Sequence, residues 1–333
     1  MPAHVFVLNR TNYEICTHRG IVGLPEATPG SKNENYTNDA LLSRIAIIKE
    51  GDYIFFYITK DKSKKDEGKE LQGIWRAIGQ PFYDITPVWE DKTYPFRCRI
   101  ESTEYSFKKP LRLNDIFDLR NSGKIWTFAL NRASGTNAMF SLSDIECDVL
   151  LQEYLKINPF TINRNVIMEP YPVKPANLFE QVHRQEGGHM PSFESSLMAM
   201  LARAFVEGNF QDVFGNYSDY LCYVPTNFGT EIDILLFFNN PHHERQILSY
   251  DILEVKSDRF DADALRQLIG YESWFIHKKV QGDMNMVRVS AIAKRFDPNV
   301  VEYVENRRNY ENKEIKLLEY NVSSNGELVL RLV

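Results

Sequence analysis

Four short stretches in the C-terminal half hold residue types that do chemistry together. Glu194 lies in the first turn of an expected helix. Gly229-Thr-Glu-Ile-Asp233 leads into an expected strand, Glu254-Val-Lys256 sits in the next strand, and Gln267 and Tyr271 stand four apart on the helix after it. Two carboxylates on neighbouring strands suit a hard divalent cation, which prefers oxygen ligands and fills its other positions with water and substrate phosphate. Such an ion makes a bound water a better nucleophile and neutralises charge on a phosphate under attack. A lysine beside it would orient or deprotonate that water and stabilise developing charge. The chemistry implied is metal-assisted phosphodiester hydrolysis. Asp233 and Glu254 would hold Mg²⁺ or Mn²⁺, with Lys256 next to them.

The elements must place these groups. Side chains two apart in a strand share a face. Glu254 and Lys256 therefore point the same way as Ile252, and Leu253 and Val255 point the other way. The run Asp251–Lys256 is mostly apolar and reads as an inner strand, covered on both faces. Charges there are costly to desolvate unless something compensates. The same holds for Asp233, at the head of Ile234-Leu-Leu-Phe-Phe238. Glu194 shares a helix face with Met198, Leu201 and Phe205. Gln267 and Tyr271 share another and would hold Lys256 or a DNA phosphate. Glu231 shares a face with Asp233 and reads first as a solvated strand end. His242-His243 reads as a solvated turn, and His183 and His189 stand at no ligand spacing. The bland alternative makes Glu254–Lys256 a salt-bridged pair and Gln267–Tyr271 ordinary helix surface.

The ordered set, helix Glu, GxxxD, (D/E)xK and QxxxY, resembles the PD-(D/E)xK nuclease superfamily, in particular its RecB-like and archaeal mismatch-endonuclease branches. The likeness covers roughly residues 190–295, with every required position filled. It implies a restriction-endonuclease-like α/β domain with a central mixed sheet and a Mg²⁺ cofactor. It implies catalytic roles for Glu194, Asp233, Glu254, Lys256, Gln267 and Tyr271.

The N-terminal half reads as α+β. Strands are expected at Val5–Leu8, Tyr53–Ile58, Leu71–Ile78, Tyr94–Ile100 and Trp126–Leu130, and helices at Asp39–Lys49 and Ser143–Leu155. Ser143 is the expected N-cap, with Glu146 in the capping-box position. Residues 60–67 form a charged run, a hairpin tip or a phosphate-contacting loop. Gly51-Asp52 before an aromatic strand, Gly73-Ile-Trp-Arg-Ala-Ile-Gly79 and Tyr94-Pro-Phe-Arg97 resemble the PUA-like superfamily, specifically its EVE and YTH group. This likeness spans about residues 1–150 and implies a small β-barrel that holds a modified base in an aromatic pocket. A flipped base stacks on aromatic faces and is read on its polar edge. The candidates here are Asn9, Trp75, Tyr83, Trp89, Tyr94 and Trp126, with Phe96, Arg10 and Thr11 beside them.

With 333 residues the chain is long enough for two domains. The expected divisions are 1–157 (base-reading), 158–190 (a connecting segment broken by Pro159, Pro170, Pro172 and Pro175, with a short helix near 177–184) and 191–333 (nuclease). In the last, strands are expected at 231–238, 249–256, 287–293, 315–320 and 327–332. Helices are expected at 193–207, 262–278 and 298–307. Net charge is −6, so nucleic acid would be met by a local patch or a metal ion and not by a basic surface. Four scattered cysteines with no CxxC argue against structural zinc and for a reduced interior. No signal peptide or apolar run of ~20 residues is seen, so a cytoplasmic protein without a membrane partner is expected. The absence of GxxxxGK(S/T) argues against ATP dependence. The reading is a Mg²⁺-dependent endonuclease directed to modified double-stranded DNA, acting as a homodimer if it cuts both strands. Its rivals are a repair or structure-specific nuclease, a non-catalytic binding protein on the same fold, and an RNA-directed enzyme.

Overall fold

The computed structural model describes residues 2–60, 68–105, 107–128, 138–159, 167–172 and 176–333. It divides into two units, 1–182 and 183–333. The charged run at 61–67 lies outside the described residues.

In the first unit come β1 (Ala3–Leu8), α1 (Arg10–Arg19), β2 (Ile21–Leu24), α2 (Glu34–Ile45), β3 (Tyr53–Ile58) and β4 (Glu70–Tyr83). They are followed by β5 (Phe96–Ser102), β6 (Leu111–Arg112), α3 (Leu113–Asn121), β7 (Met139–Leu142), α4 (Asp144–Ile157) and β8 (Ala176–Asn177). The sheet runs β2-β5-β4-β3-β1-β7, with β6 and β8 paired to β4. All six residues of β3 are buried, alternately on the two faces, as its β-branched and aromatic run requires of a central strand. Its face carrying Tyr53, Phe55 and Tyr57 packs with Ile116, Leu150 and Tyr154 in one core.

The closed barrel expected for this half is not what the described strands form. The path ends at β2 and β7, which do not pair. Helix α2 packs against β2, β5 and β7 and buries Leu41, Leu42 and Ile45. A helix is ~10 Å wide, about twice the spacing of paired strands, so it keeps the two edges apart.

Other expectations shift for local reasons. Trp126–Phe128 are not a strand, and 129–130 lie outside the described residues. The Glu146 carboxylate accepts the N–H groups of Trp126 and Thr127 at 2.6 and 2.9 Å, taking donors a ladder would need. Glu146 also completes the expected capping box with Ser143 at the start of α4. Strand β5 starts at Phe96 rather than Tyr94, whose carbonyl is taken by Arg97 Nε at 2.7 Å. Helix α2 starts and ends about four residues early, and 178–181 is a 3₁₀ turn. His4 joins Ser141 (2.8 Å) and Asp52 (2.9 Å). All three are buried, so this Ser-His-Asp set ties β1, β7 and the head of β3 together and presents no nucleophile.

The second unit contains α5 (Glu194–Val206), α6 (Gln211–Phe214), β9 (Asp219–Pro225), β10 (Glu231–Asn240), β11 (His243–Val255) and β12 (Arg259–Phe260). Then come α7 (Ala262–Lys278), β13 (Val287–Ala293), β14 (Arg295–Phe296), α8 (Pro298–Glu311), β15 (Ile315–Val322) and β16 (Leu328–Leu332). Its main sheet is mixed, in the order β16-β15-β13-β11-β10-β9, with β11-β13-β15 parallel. This is the α/β arrangement with a central mixed sheet, and β11 is an inner strand. Helix α7 packs on β11 and β13 through Leu268, Tyr271 and Phe275.

Buried Arg307 on α8 donates from Nη2 to both oxygens of buried Glu272 on α7, at 2.8 and 2.7 Å. Glu272→Ala strands the guanidinium and is expected to cost ~3–5 kcal/mol in urea denaturation. A loss under ~1 kcal/mol would show that the pair does not lock α7 to α8. No helix among the described residues is long and apolar enough to cross a membrane.

Candidate active site and N-terminal pocket

The antiparallel register Ile234↔Leu253 continues to Asp233 and Glu254, setting the two acids side by side on β10 and β11. Asp233 Oδ2 accepts the Val255 N–H at 2.8 Å, which fixes the carboxylate across the two strands. Glu254 is wholly buried; its Oε1 accepts from Lys256 Nζ at 2.7 Å. Lys256 also reaches Glu194 Oε2 on α5 at 3.2 Å. Glu194, Asp233, Glu254 and Lys256 therefore form one cluster. Gln267 and Tyr271 stand apart from it. Gln267 Nε2 donates to the Tyr271 hydroxyl, which donates to the Glu231 carbonyl, both at 2.7 Å. Tyr271 is fully buried and braces the start of β10, two residues before Asp233, and neither residue bonds Lys256.

Among the described residues three carboxylates surround one ammonium, which leaves the cluster short of positive charge. Burial, then Glu254 and Glu194, push the Asp233 carboxyl well above its ordinary range. Burial raises Glu254 to about 7, with Lys256 opposing. Burial pulls Lys256 down, but Glu254, Asp233 and Glu194 outweigh it and hold the lysine above its usual value. With the cluster free of metal, Lys256 is therefore held as an ammonium. The buried Glu254 Oε2 has no hydrogen-bond partner. Buried carboxylate oxygens nearly always have one. A cation between Asp233 and Glu254 would satisfy that oxygen and reverse both pKa rises, so these residues fit a divalent ion. Among the described residues no three His, Cys, Asp or Glu side chains stand close enough to hold a metal together. Two carboxylates are the number Mg²⁺ commonly takes, with waters and phosphate.

In the first unit a cavity of about 270 Å³ lies beside α1 and β2. Asn9, Trp89 and Tyr94 line it, as do Asn12, Asp91 and Gly23, which sequence reasoning did not single out. The Trp89 and Tyr94 rings lie 4.8 Å apart. The Tyr94 hydroxyl donates to Asp91 (2.9 Å) and accepts from Asn12 Nδ2 (2.9 Å), so aromatic wall and polar edge are one network. Burial and the bond to Asp91 raise Tyr94, which keeps its proton. Asn9 caps α1 by accepting the Asn12 N–H at 2.8 Å, and Arg10 turns to Glu70. Gly23 makes a close approach here: a Cβ would stand 3.1 Å from Tyr94 Cβ and 3.3 Å from the Trp89 ring, so those side chains would have to give way. Buried Arg97 holds the wall, bonding the carbonyls of Tyr94 and Thr86 and lying under Trp89. Trp75, Tyr83 and Trp126 do not line the cavity. Trp75 is buried in the sheet between Ile54 and Ser102, and Tyr83 packs on Phe96.

No family model and no curated protein matches the chain. Several solved structures are similar to parts of it. A repair endonuclease from Pyrococcus abyssi is 17% identical over 42% of this chain and 50% of its own, with a TM-score of 0.27. EndoMS in complex with double-stranded DNA is 15% identical over 48% of this chain and 54% of its own (TM-score 0.28). Human THYN1, in complex with DNA containing 5-methylcytosine, is 9% identical over 46% of this chain and 98% of its own (TM-score 0.29). The chain spans about half the length of the two endonucleases.

Proposed function

We propose that the chain is a divalent-metal-dependent DNA endonuclease whose N-terminal pocket directs it to modified bases, as in modification-dependent restriction. The observation that carries the catalytic half is the unpartnered Glu254 oxygen in a carboxylate cluster short of positive charge, next to a lysine. Asp233 and Glu254 would hold Mg²⁺ or Mn²⁺. When bound, the ion supplies charge neutralisation at the phosphate and an acidified water. The chain's residues do the rest. The Val255 N–H aims the Asp233 carboxylate. Glu194 and Glu254 steer Lys256, whose ammonium donates to a phosphate oxygen as negative charge builds there. Gln267 and Tyr271 position β10. Both strands of a duplex are cut by two copies of the chain, one active site each. The pocket, with its aromatic pair and polar edge, supports the directing half, its volume being near the lower end for small-molecule sites.

The test is cleavage of matched plasmids, unmodified or carrying modified cytosine or adenine, with Mg²⁺ or EDTA. Cutting is expected only with Mg²⁺ and one class of modification. Cutting without regard to modification would remove the base-reading half. No cutting of any nucleic acid would remove the catalytic half.

A further inference from the structure

Phe228 is 50% exposed, at the tip of the turn between β9 and β10. Thr226 closes that turn, its N–H and hydroxyl both donating to the Thr230 carbonyl at 3.0 and 2.7 Å. The ring is therefore presented on a hydrogen-bonded loop. One face stacks on Tyr271 (centroids 5.9 Å apart, planes at 22°), and Trp274 meets it edge-on at 6.1 Å. Tyr271 is the residue that bonds the Glu231 carbonyl, so this aromatic group sits against the start of β10, two residues before Asp233.

A lone exposed phenylalanine needs no explanation. One stacked on the brace of a candidate active site, on a pinned loop, does. Five residue-to-residue steps separate Phe228 from Asp233, at most about 17 Å. A nucleic-acid strand advances about 3.4 Å per nucleotide. A strand with a phosphate at the acids thus has bases within a few nucleotides of the ring. Bases stack on aromatic side chains whatever their identity, because each has a π-face. In a paired duplex those faces are already covered, so the ring can take only an unpaired or extruded base.

We propose that Phe228 is a stacking platform for an unpaired base of the strand being cut, so that the second unit prefers strands that are single or locally opened near the cut. This rests on reading that unit as a phosphodiesterase. The platform is tested with 2-aminopurine, whose fluorescence falls on stacking, placed at successive positions of a single-stranded oligonucleotide and of a paired duplex. The full chain carrying Lys256→Ala is used with MgCl₂, so the strand stays intact. Quenching is expected at one or two positions of the single strand and much less in the duplex. In that background Phe228→Ala and Phe228→Leu are expected to lose the quench and weaken binding about fivefold to 150-fold, while Phe228→Trp keeps both. The trio separates stacking from folding, since leucine retains apolar bulk and tryptophan retains the π-face. Quenching and binding unchanged in Phe228→Ala would overturn the platform, and equal quenching in the paired duplex would overturn the preference for opened strands. If Lys256-intact protein cuts nothing while the quench still depends on Phe228, the phosphodiesterase reading falls and the platform stands.

Discussion

Glu254→Gln is expected to abolish strand cleavage and, in the same protein, to make the metal-free fold harder to unfold. The loss of rate, at least ~10²–10³-fold, follows from removing a charged group from a preorganised, buried site. The gain in stability follows from the sign of the pKa shift. Glu254 titrates at about 7 in the folded chain against an ordinary 4.5. A carboxyl with a raised folded pKa costs nothing below about pH 4.5, where it is protonated in both states. Its cost grows as pH climbs through 7. In EDTA the wild type should therefore lose stability between pH 5 and pH 8, by on the order of 3 kcal/mol from this group. Glu254→Gln should show a flatter profile and exceed the wild type at pH 8. Mg²⁺ should restore wild-type stability at pH 8, because an ion that binds only the folded state stabilises it by mass action, and should leave the variant nearly unmoved. Thermal unfolding at the two pH values, with EDTA and with MgCl₂, reads all of this. A variant less stable than wild type at pH 8 in EDTA would sink the claim that the cluster lacks positive charge.

Lys256→Ala sharpens the point. It too should lose cleavage, but it removes the cation that, among the described residues, pairs with Glu254 and Glu194. Metal-free Lys256→Ala should therefore be less stable than wild type at pH 8, opposite in sign to Glu254→Gln. A simple structural salt bridge would make both variants destabilising. The two signs together separate a site built to receive a cation from a pair built to hold the sheet.

What the sequence disclosed and what it hid divide along physical lines. The cluster was legible because strand alternation alone puts Glu254 and Lys256 on one face, and because charges in an apolar inner strand demand a reason. The placement of Gln267 and Tyr271 was half legible. Helical spacing put them on one face, but the Tyr271 hydroxyl goes to a backbone carbonyl, a partner no side-chain pattern announces. In the first half, α1 and β2 were not anticipated, since α1 has no clear apolar stripe. Its ends did carry signals, Asn9 as N-cap and Gly20 at φ 62° just past the last turn. With α1 unseen, Asn12 could not be placed beside Tyr94. Gly23 inside a strand was the other usable hint of a close approach. The open edge between β2 and β7 rests on where α2 packs, and that is a tertiary fact.

Tyr94→Phe is expected to erase discrimination between modified and unmodified DNA while leaving the fold intact. The hydroxyl is the junction of the pocket's polar edge, donating to Asp91 and accepting from Asn12. Without it the Asp91 carboxylate loses the shorter of its two donors, keeping only Asn12 Nδ2 at 3.3 Å. A carboxylate on the edge of a base pocket accepts from an exocyclic amine, as Asp and Glu do from cytosine N4. The bases recognised should therefore carry an exocyclic amino group, which excludes thymine and uracil. Each good base-edge contact discriminates by ~1–3 kcal/mol, so the preference for modified DNA should fall by about fivefold to 150-fold. Trp89→Ala should weaken binding of the modified strand by a similar factor through lost stacking, and Gly23→Ala should do so by driving a Cβ against the Trp89–Tyr94 pair. Competition binding reads these effects without cleavage if every variant also carries Glu254→Gln. If Tyr94→Phe and Trp89→Ala keep the full preference, the cavity is not the reader. If preference disappears while unmodified DNA binds as before, the pocket supplies specificity and the rest of the chain supplies affinity, as expected when backbone contacts position and base contacts specify.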